Sequence, residues 1–140
     1  MTIAITSPCS KDYNCIAWAA EDDETWWWPN PLGLSFWPLE PAGDTSLQNF
    51  INAYSTLGYE QSEDAALEAG FRKVALYIDE SNQVTHAARQ LENGDWTSKL
   101  GQLYDIKHPF FEVWQDITYG GQVFNTAIYG KLAVILRKQI

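Results

Sequence analysis

Long apolar runs, cysteine, histidine and basic charge are all scarce in this chain, and each scarcity narrows its function. No uninterrupted apolar stretch approaches the ~20 residues of a bilayer-spanning helix, and the opening MTIAITSPCSKD has neither the basic flank nor the apolar centre of an export signal. A soluble, cytoplasmic protein is expected. Nine Lys and Arg stand against eighteen Asp and Glu, a net charge of -9 that repels phosphate backbones and anionic headgroups. Neither nucleic acid nor a membrane is an expected partner. The two cysteines, Cys9 and Cys15, would close only a very short loop, so a disulfide would restrain little of the unfolded chain and reduced thiols are expected. Two histidines far apart in sequence do not have the clustered spacing of a zinc site, and no metal or cofactor is expected.

What remains is apolar and aromatic. With 140 residues, 46% of them hydrophobic and 14% aromatic, the chain can bury one sizeable core, and a single domain over 1–140 is expected. NCIAWAA reads as a short helix with Asn14 or Asp12 as its N-cap. The following EDDETWWWPNPLGLSFWPLEPAGD is too rich in proline for a long helix or a central strand and too aromatic for a disordered linker. In DTSLQNFINAYSTLG the apolar positions Leu47, Phe50, Ile51, Tyr54 and Leu57 make a helical stripe, with Asp44 as the predicted cap and Gly58 as the stop. SEDAALEAG adds a further expected turn or two of helix. FRKVALYID, VTHAARQL and DWTSKLG then read as strands of an antiparallel meander, the last two joined through the Asn93-Gly94 turn. Pro109 is expected to open a helix PFFEVWQDI, and KLAVILRK to form a final strand. Helices first and a sheet afterwards favour an α+β domain.

The chemistry centres on Cys15. A thiol ordinarily near ~8.5 is lowered to ~3.5–7.5 by a helix N-terminus and a protonated imidazole, and Cys15 stands where the first helix should begin. His86, on an expected strand, is the better base. His108, before Pro109, reads as a helix cap or a surface residue. Ser98 on the next strand is the plausible group to orient His86, with Asp105 as the alternative. Asn14 and Tyr13 are candidate donors to an oxyanion beside the Cys15 N–H. Trp26, Trp27, Trp28 and Trp37 either complete the core or line an apolar groove beside Cys15.

The segments NCIAWAA, WWWP, FWP, KVALY, THAARQL, GDWTSKLG and DIKH together resemble a family of small uncharacterised bacterial proteins grouped as a domain of unknown function. Shorter patterns, the Cys opening a helix, the His and Arg-Gln of THAARQ, and GDWTSKLG, resemble papain-like and NlpC/P60-like cysteine hydrolases. That second resemblance implies a small papain-like α+β fold with N-terminal helices packed on an antiparallel sheet. It also implies a cysteine-dependent hydrolase of peptide or amide substrates (peptidase, amidase or deamidase) with Cys15 as nucleophile, His86 as base and Ser98 in third place. A serine stands where such enzymes usually carry His, Asn or Asp. The competing expectation, from composition, is a non-catalytic acidic binding or immunity-type protein that covers a basic partner, with its tryptophans and tyrosines as anchors.

Overall fold

The computed structural model describes residues 3–140. Strand β1 (Ala4–Ser7) is followed by helices α1 (Cys15–Ala19) and α2 (Leu47–Ser55). Then come β2 (Glu60–Ser62), β3 (Phe71–Ile78), β4 (Val84–Gln90), β5 (Trp96–Lys99), β6 (Asp105–His108), β7 (Ile117–Tyr119) and β8 (Gln122–Phe124). A 3-10 turn (Thr126–Tyr129) leads into β9 (Lys131–Gln139). Among the described residues no helix is long and apolar enough to cross a membrane.

The main sheet has seven strands in the order β1-β6-β5-β4-β3-β9-β2, all neighbours antiparallel, and β7 and β8 form a separate hairpin. The meander β3-β4-β5 forms as the sequence predicts, and Leu91 N–H donates to Asp95 O across the Asn93-Gly94 turn. The last strand does not extend the meander: β9 pairs with β3 from Phe71↔Gln139 to Ile78↔Lys131 and carries β2 on its other side. At the entry to β9 the backbones close up. A Cβ on Gly130 would stand 2.0 Å from Ile78 O, at a φ of +85°, so only glycine fits there.

Both faces of the sheet are covered, which is why β3 reads as a nearly continuous apolar run. Val74, Leu76 and Ile78 point into one core with Ile16, Ala17, Phe50 and Tyr54 of the helices and with Trp27. Ala75 and Tyr77 point into the other, with Trp96, Ile106, Trp114, Ile117 and Phe124.

This architecture corrects the expected α+β, papain-like fold. Among the described residues the protein is mostly antiparallel β-sheet, with nine strands and two short helices that cover one face only. Two segments expected to be helical are not, because tertiary partners claim their backbones. In SEDAALEAG, the carbonyl of Asp64 accepts from the buried Lys73 ammonium and that of Ala65 from Gln90 Nε2. After Pro109, the Phe111 carbonyl accepts from the Tyr77 hydroxyl, Leu132 N–H donates to Glu112 O, and Trp114 N–H donates to Gly130 O. Residues 109–116 thus lie as an aromatic strap over the second core.

Candidate active site

Asn14 is the N-cap of α1, as one of the two sequence alternatives had it. Its Oδ1 accepts from Ala17 N–H (3.0 Å) and from Trp27 N–H (3.3 Å), and its Nδ2 donates to Trp27 O (2.6 Å). The amide that was a candidate oxyanion donor is thus committed to holding the tryptophan segment onto the helix. Tyr13, the other candidate, donates its hydroxyl to Asp105 Oδ2 at 2.6 Å. Asp105 is thereby tied to the chain just ahead of α1, on the helix-covered face, with the buried Lys99 as its cross-strand neighbour.

Cys15 is half-buried at the first position of α1, whereas Cys9 is exposed. Burial pushes the Cys15 thiol up to about 11. The N–H groups of Ala87, Ile16 and Cys15 itself, and the Lys99 charge, pull in the other direction without overcoming it. The resting group is a neutral thiol, where the sequence led us to expect an ionised one. A helix of five residues beside an apolar core supplies too little dipole to offset desolvation.

The reach of Ala87 N–H toward the sulfur follows from the sheet. Strands β4 and β5 pair only at Arg89↔Thr97 and Gln90↔Trp96. Alternation would put Ala87 against Lys99, but the ladder has ended there, leaving a split between the strands. Cys15 stands at that split. Once ionised, Cys15 would act on both cores: after burial, a thiolate there raises the phenol of Tyr54, in the helix-side core, and of Tyr129, packed on the opposite one.

His86, paired with Tyr77 on β3, is fully buried on the far face. Tyr129 stacks on its ring at 4.1 Å and 4°, Trp114 meets it edge-on at 4.7 Å, and Tyr77 lies at 5.9 Å. His86 Nε2 lies 3.0 Å from Ser98 Oγ, and Ser98 Oγ lies 2.7 Å from His108 Nε2. His86 Nδ1 is buried and makes no hydrogen bond among the described residues. Burial drives His86 well below the ordinary histidine range, and the nearby His108 charge adds to this. Burial likewise takes His108 down to about 4, against the Pro109 carbonyl and the Asp95 charge. Both imidazoles are therefore neutral at pH 7.

Ser98 thus stands beside His86, and Asp105, the alternative third group, is elsewhere. His108 is neither a helix cap nor a surface residue: it ends β6, opposite Trp96, in the second core. The signal that would have found it is strand parity. Ile106 and His108 are two apart in DIKH, so an inward Ile106 carries His108 inward with it. Trp114 and Tyr129 were not among the sequence candidates, because no local pattern says which face the strap and the 3-10 turn cover.

Among the tryptophans, Trp27 is buried against Phe36 and Tyr54, while Trp28 and Trp37 pack edge-on against Phe50. Trp26 is half-buried. A cleft of about 960 Å³ opens beyond the other end of α1, among Glu21, Leu67, Phe71, Arg72, Arg89 and Ile140, and includes neither Cys15 nor His86.

A family model described as "Domain of unknown function (DUF7689)" matches residues 4–137, nearly the whole chain. No curated protein and no solved structure matches it.

Proposed function

The chain belongs to the DUF7689 family, and from the surroundings of Cys15 and His86 we propose that it is a thiol-dependent hydrolase of amide bonds. The observation that carries this reading is His86 Nδ1, an imidazole nitrogen buried without a partner while the other nitrogen of the ring is held by Ser98. An unsatisfied buried polar atom costs about 1–3 kcal/mol, and such atoms recur where a group is kept free for chemistry.

The thiol, on the helix side, and the imidazole, on the far face, make no hydrogen bond to one another, and in this reading they close on each other through the β4-β5 split. Because both rest neutral, the proton leaves sulfur as the sulfur attacks, rather than beforehand. His86 Nδ1 accepts the thiol proton, the C–S bond forms, and the tetrahedral oxyanion is met by the Cys15 N–H. Collapse breaks the C–N bond, and His86 returns the proton to the departing amine. Water then cleaves the thioester. Asn14 and Tyr13 fix the start of α1, and in this reading Trp28 and Trp37, which pack on the same core as Cys15, would meet an acyl chain. Peptidase, amidase and deamidase are variants of this one step.

The test uses an activated acyl ester as the probe, with acylation followed by intact mass. Cys15 should be acylated in a single turnover, Cys15→Ala should abolish the adduct, and His86→Gln should slow it by about 10²-fold or more. Acylation of Cys15 at the same rate in His86→Gln would overturn the reading.

A second reading, an acidic binding protein, is favoured by one observation. Leu32 and Leu34 are 79% and 76% exposed in the loop that follows the acidic run at 21–24. An apolar loop beside carboxylates suits a basic partner. Under this reading Cys15 is not acylated, and Leu32→Ser with Leu34→Ser weakens capture of a cationic peptide.

A further inference from the structure

His108 also donates: its Nδ1 lies 2.6 Å from the carbonyl oxygen of Pro109. A carbonyl can only accept, so the proton of this neutral ring is on Nδ1 and its Nε2 is bare. A bare Nε2 at 2.7 Å from Ser98 Oγ must accept, so the single hydroxyl proton of Ser98 points to His108. Ser98 Oγ, having given its proton away, can meet His86 Nε2 at 3.0 Å only as an acceptor. His86 therefore carries its proton on Nε2, and the unpartnered Nδ1 is a free lone pair.

We infer that His108 is a positioning residue for His86: it sets, through Ser98, which imidazole nitrogen is basic. Its own ring is held for the task. Phe111 stacks on it at 5.1 Å and 1°, and Trp114, which also packs on His86, meets it at 5.0 Å. The same aromatic strap thus fixes the planes of both imidazoles, and the backbone of Pro109 fixes the direction of the proton chain. Without the Pro109 carbonyl, Ser98 could turn its hydroxyl to either ring and His86 would be free to take the opposite tautomer, with no lone pair facing away from Ser98. The role of the lone pair in catalysis rests on the proposed hydrolase. The order of the protons does not.

The two can be tested apart, because the chain contains two histidines and their ring nitrogens can be assigned in full. Long-range proton–nitrogen correlation spectra at pH 7 should show opposite tautomers: His86 protonated on Nε2 and His108 on Nδ1. Ser98→Ala should leave His86 a mixture. His108→Gln, whose Oε1 can still accept from Ser98, should keep the His86 tautomer, whereas His108→Leu should not. Acylation of Cys15 should then fall about tenfold or more in His108→Leu and recover in His108→Gln. If both rings of the unaltered protein carry the same tautomer, the inference fails, whatever the acylation assay shows. If they are opposite and Cys15 is never acylated, the proton order stands and the hydrolase reading fails.

Discussion

A buried histidine that stays neutral makes stability depend on pH with a definite sign. The unfolded His108 takes up its proton near the usual 6.5 and the folded one only near about 4, so between those values the unfolded chain binds more protons. Stability is fully present above pH 6.5 and is lost as the pH falls toward 4. A displacement of that size corresponds to about 3 kcal/mol from His108 alone. His86, displaced in the same direction, adds to it. His108→Gln should therefore lose less stability than the unaltered protein when urea unfolding at pH 7 is compared with pH 4.5. The difference between the two losses should be about 2–3 kcal/mol. Equal losses would mean that His108 takes up its proton at the same pH folded as unfolded, and that burial does not keep the ring neutral below pH 6.5. The thiol has its own window at the other end of the scale. Since its folded value is raised, Cys15 lowers stability as the pH climbs from 9 toward about 11.

At the scale of the element, α1 is the piece least able to stand alone. Five residues are far short of an isolated helix, and its form depends on the cap and on the sheet beneath it. Asn14 satisfies both ends of this dependence, since one side chain caps the helix and holds the N–H and the carbonyl of Trp27. Asn14→Ala should cost about 2–4 kcal/mol in urea unfolding, above an ordinary cap loss. It should also weaken the near-UV signal of the tryptophans, since Trp27 would lose its tie to α1. Asn14→Asp, which keeps the acceptor but sets a carboxylate oxygen against Trp27 O, should fall between. The cap was legible in the sequence because capping is local: a side chain and an N–H three residues on. So were the Asn93-Gly94 turn and α2, whose first turn is capped by Ser46, two residues beyond the expected Asp44. The fate of SEDAALEAG was not legible, because Lys73 and Gln90 decide it from distant strands. That Ser98 lies beside His86 was legible from the spacing about the Asn93-Gly94 turn. His108 reads as a cap or surface residue when its strand, β6, is not expected, and Trp114 and Tyr129 have no local signal, because what covers the second face is set by a strap with no periodicity of its own.

For the whole molecule, the decisive placement is that of the last strand. β9 lies inside the sheet, with β3 on one side along eight residue pairs and β2 on the other. Its residues divide between the faces, Leu136 going to the helix-side core and Ile135 to the other. The strand also anchors the strap over His86, since Leu132 N–H donates to Glu112 O and Trp114 N–H to Gly130 O. Nothing that precedes it can substitute. A chain ending at Gly130 would leave the outer edge of β3 unpaired, β2 without a neighbour and both cores open along one side, a loss far above the ~5–15 kcal/mol that holds a domain together. Such a chain should show no cooperative urea transition and no sharp tryptophan signal. Adding residues 131–140 as a separate peptide should restore both, because the missing strand brings its own register with it. Folding of the intact chain should be slow for its length, in the millisecond-to-second range or beyond, since β3 must wait for a partner some sixty residues downstream before its second edge is covered. A truncated chain that folds cooperatively would show that β3, β4 and β5 with the helices suffice, and that the strap over His86 closes without the strand to which it is tied.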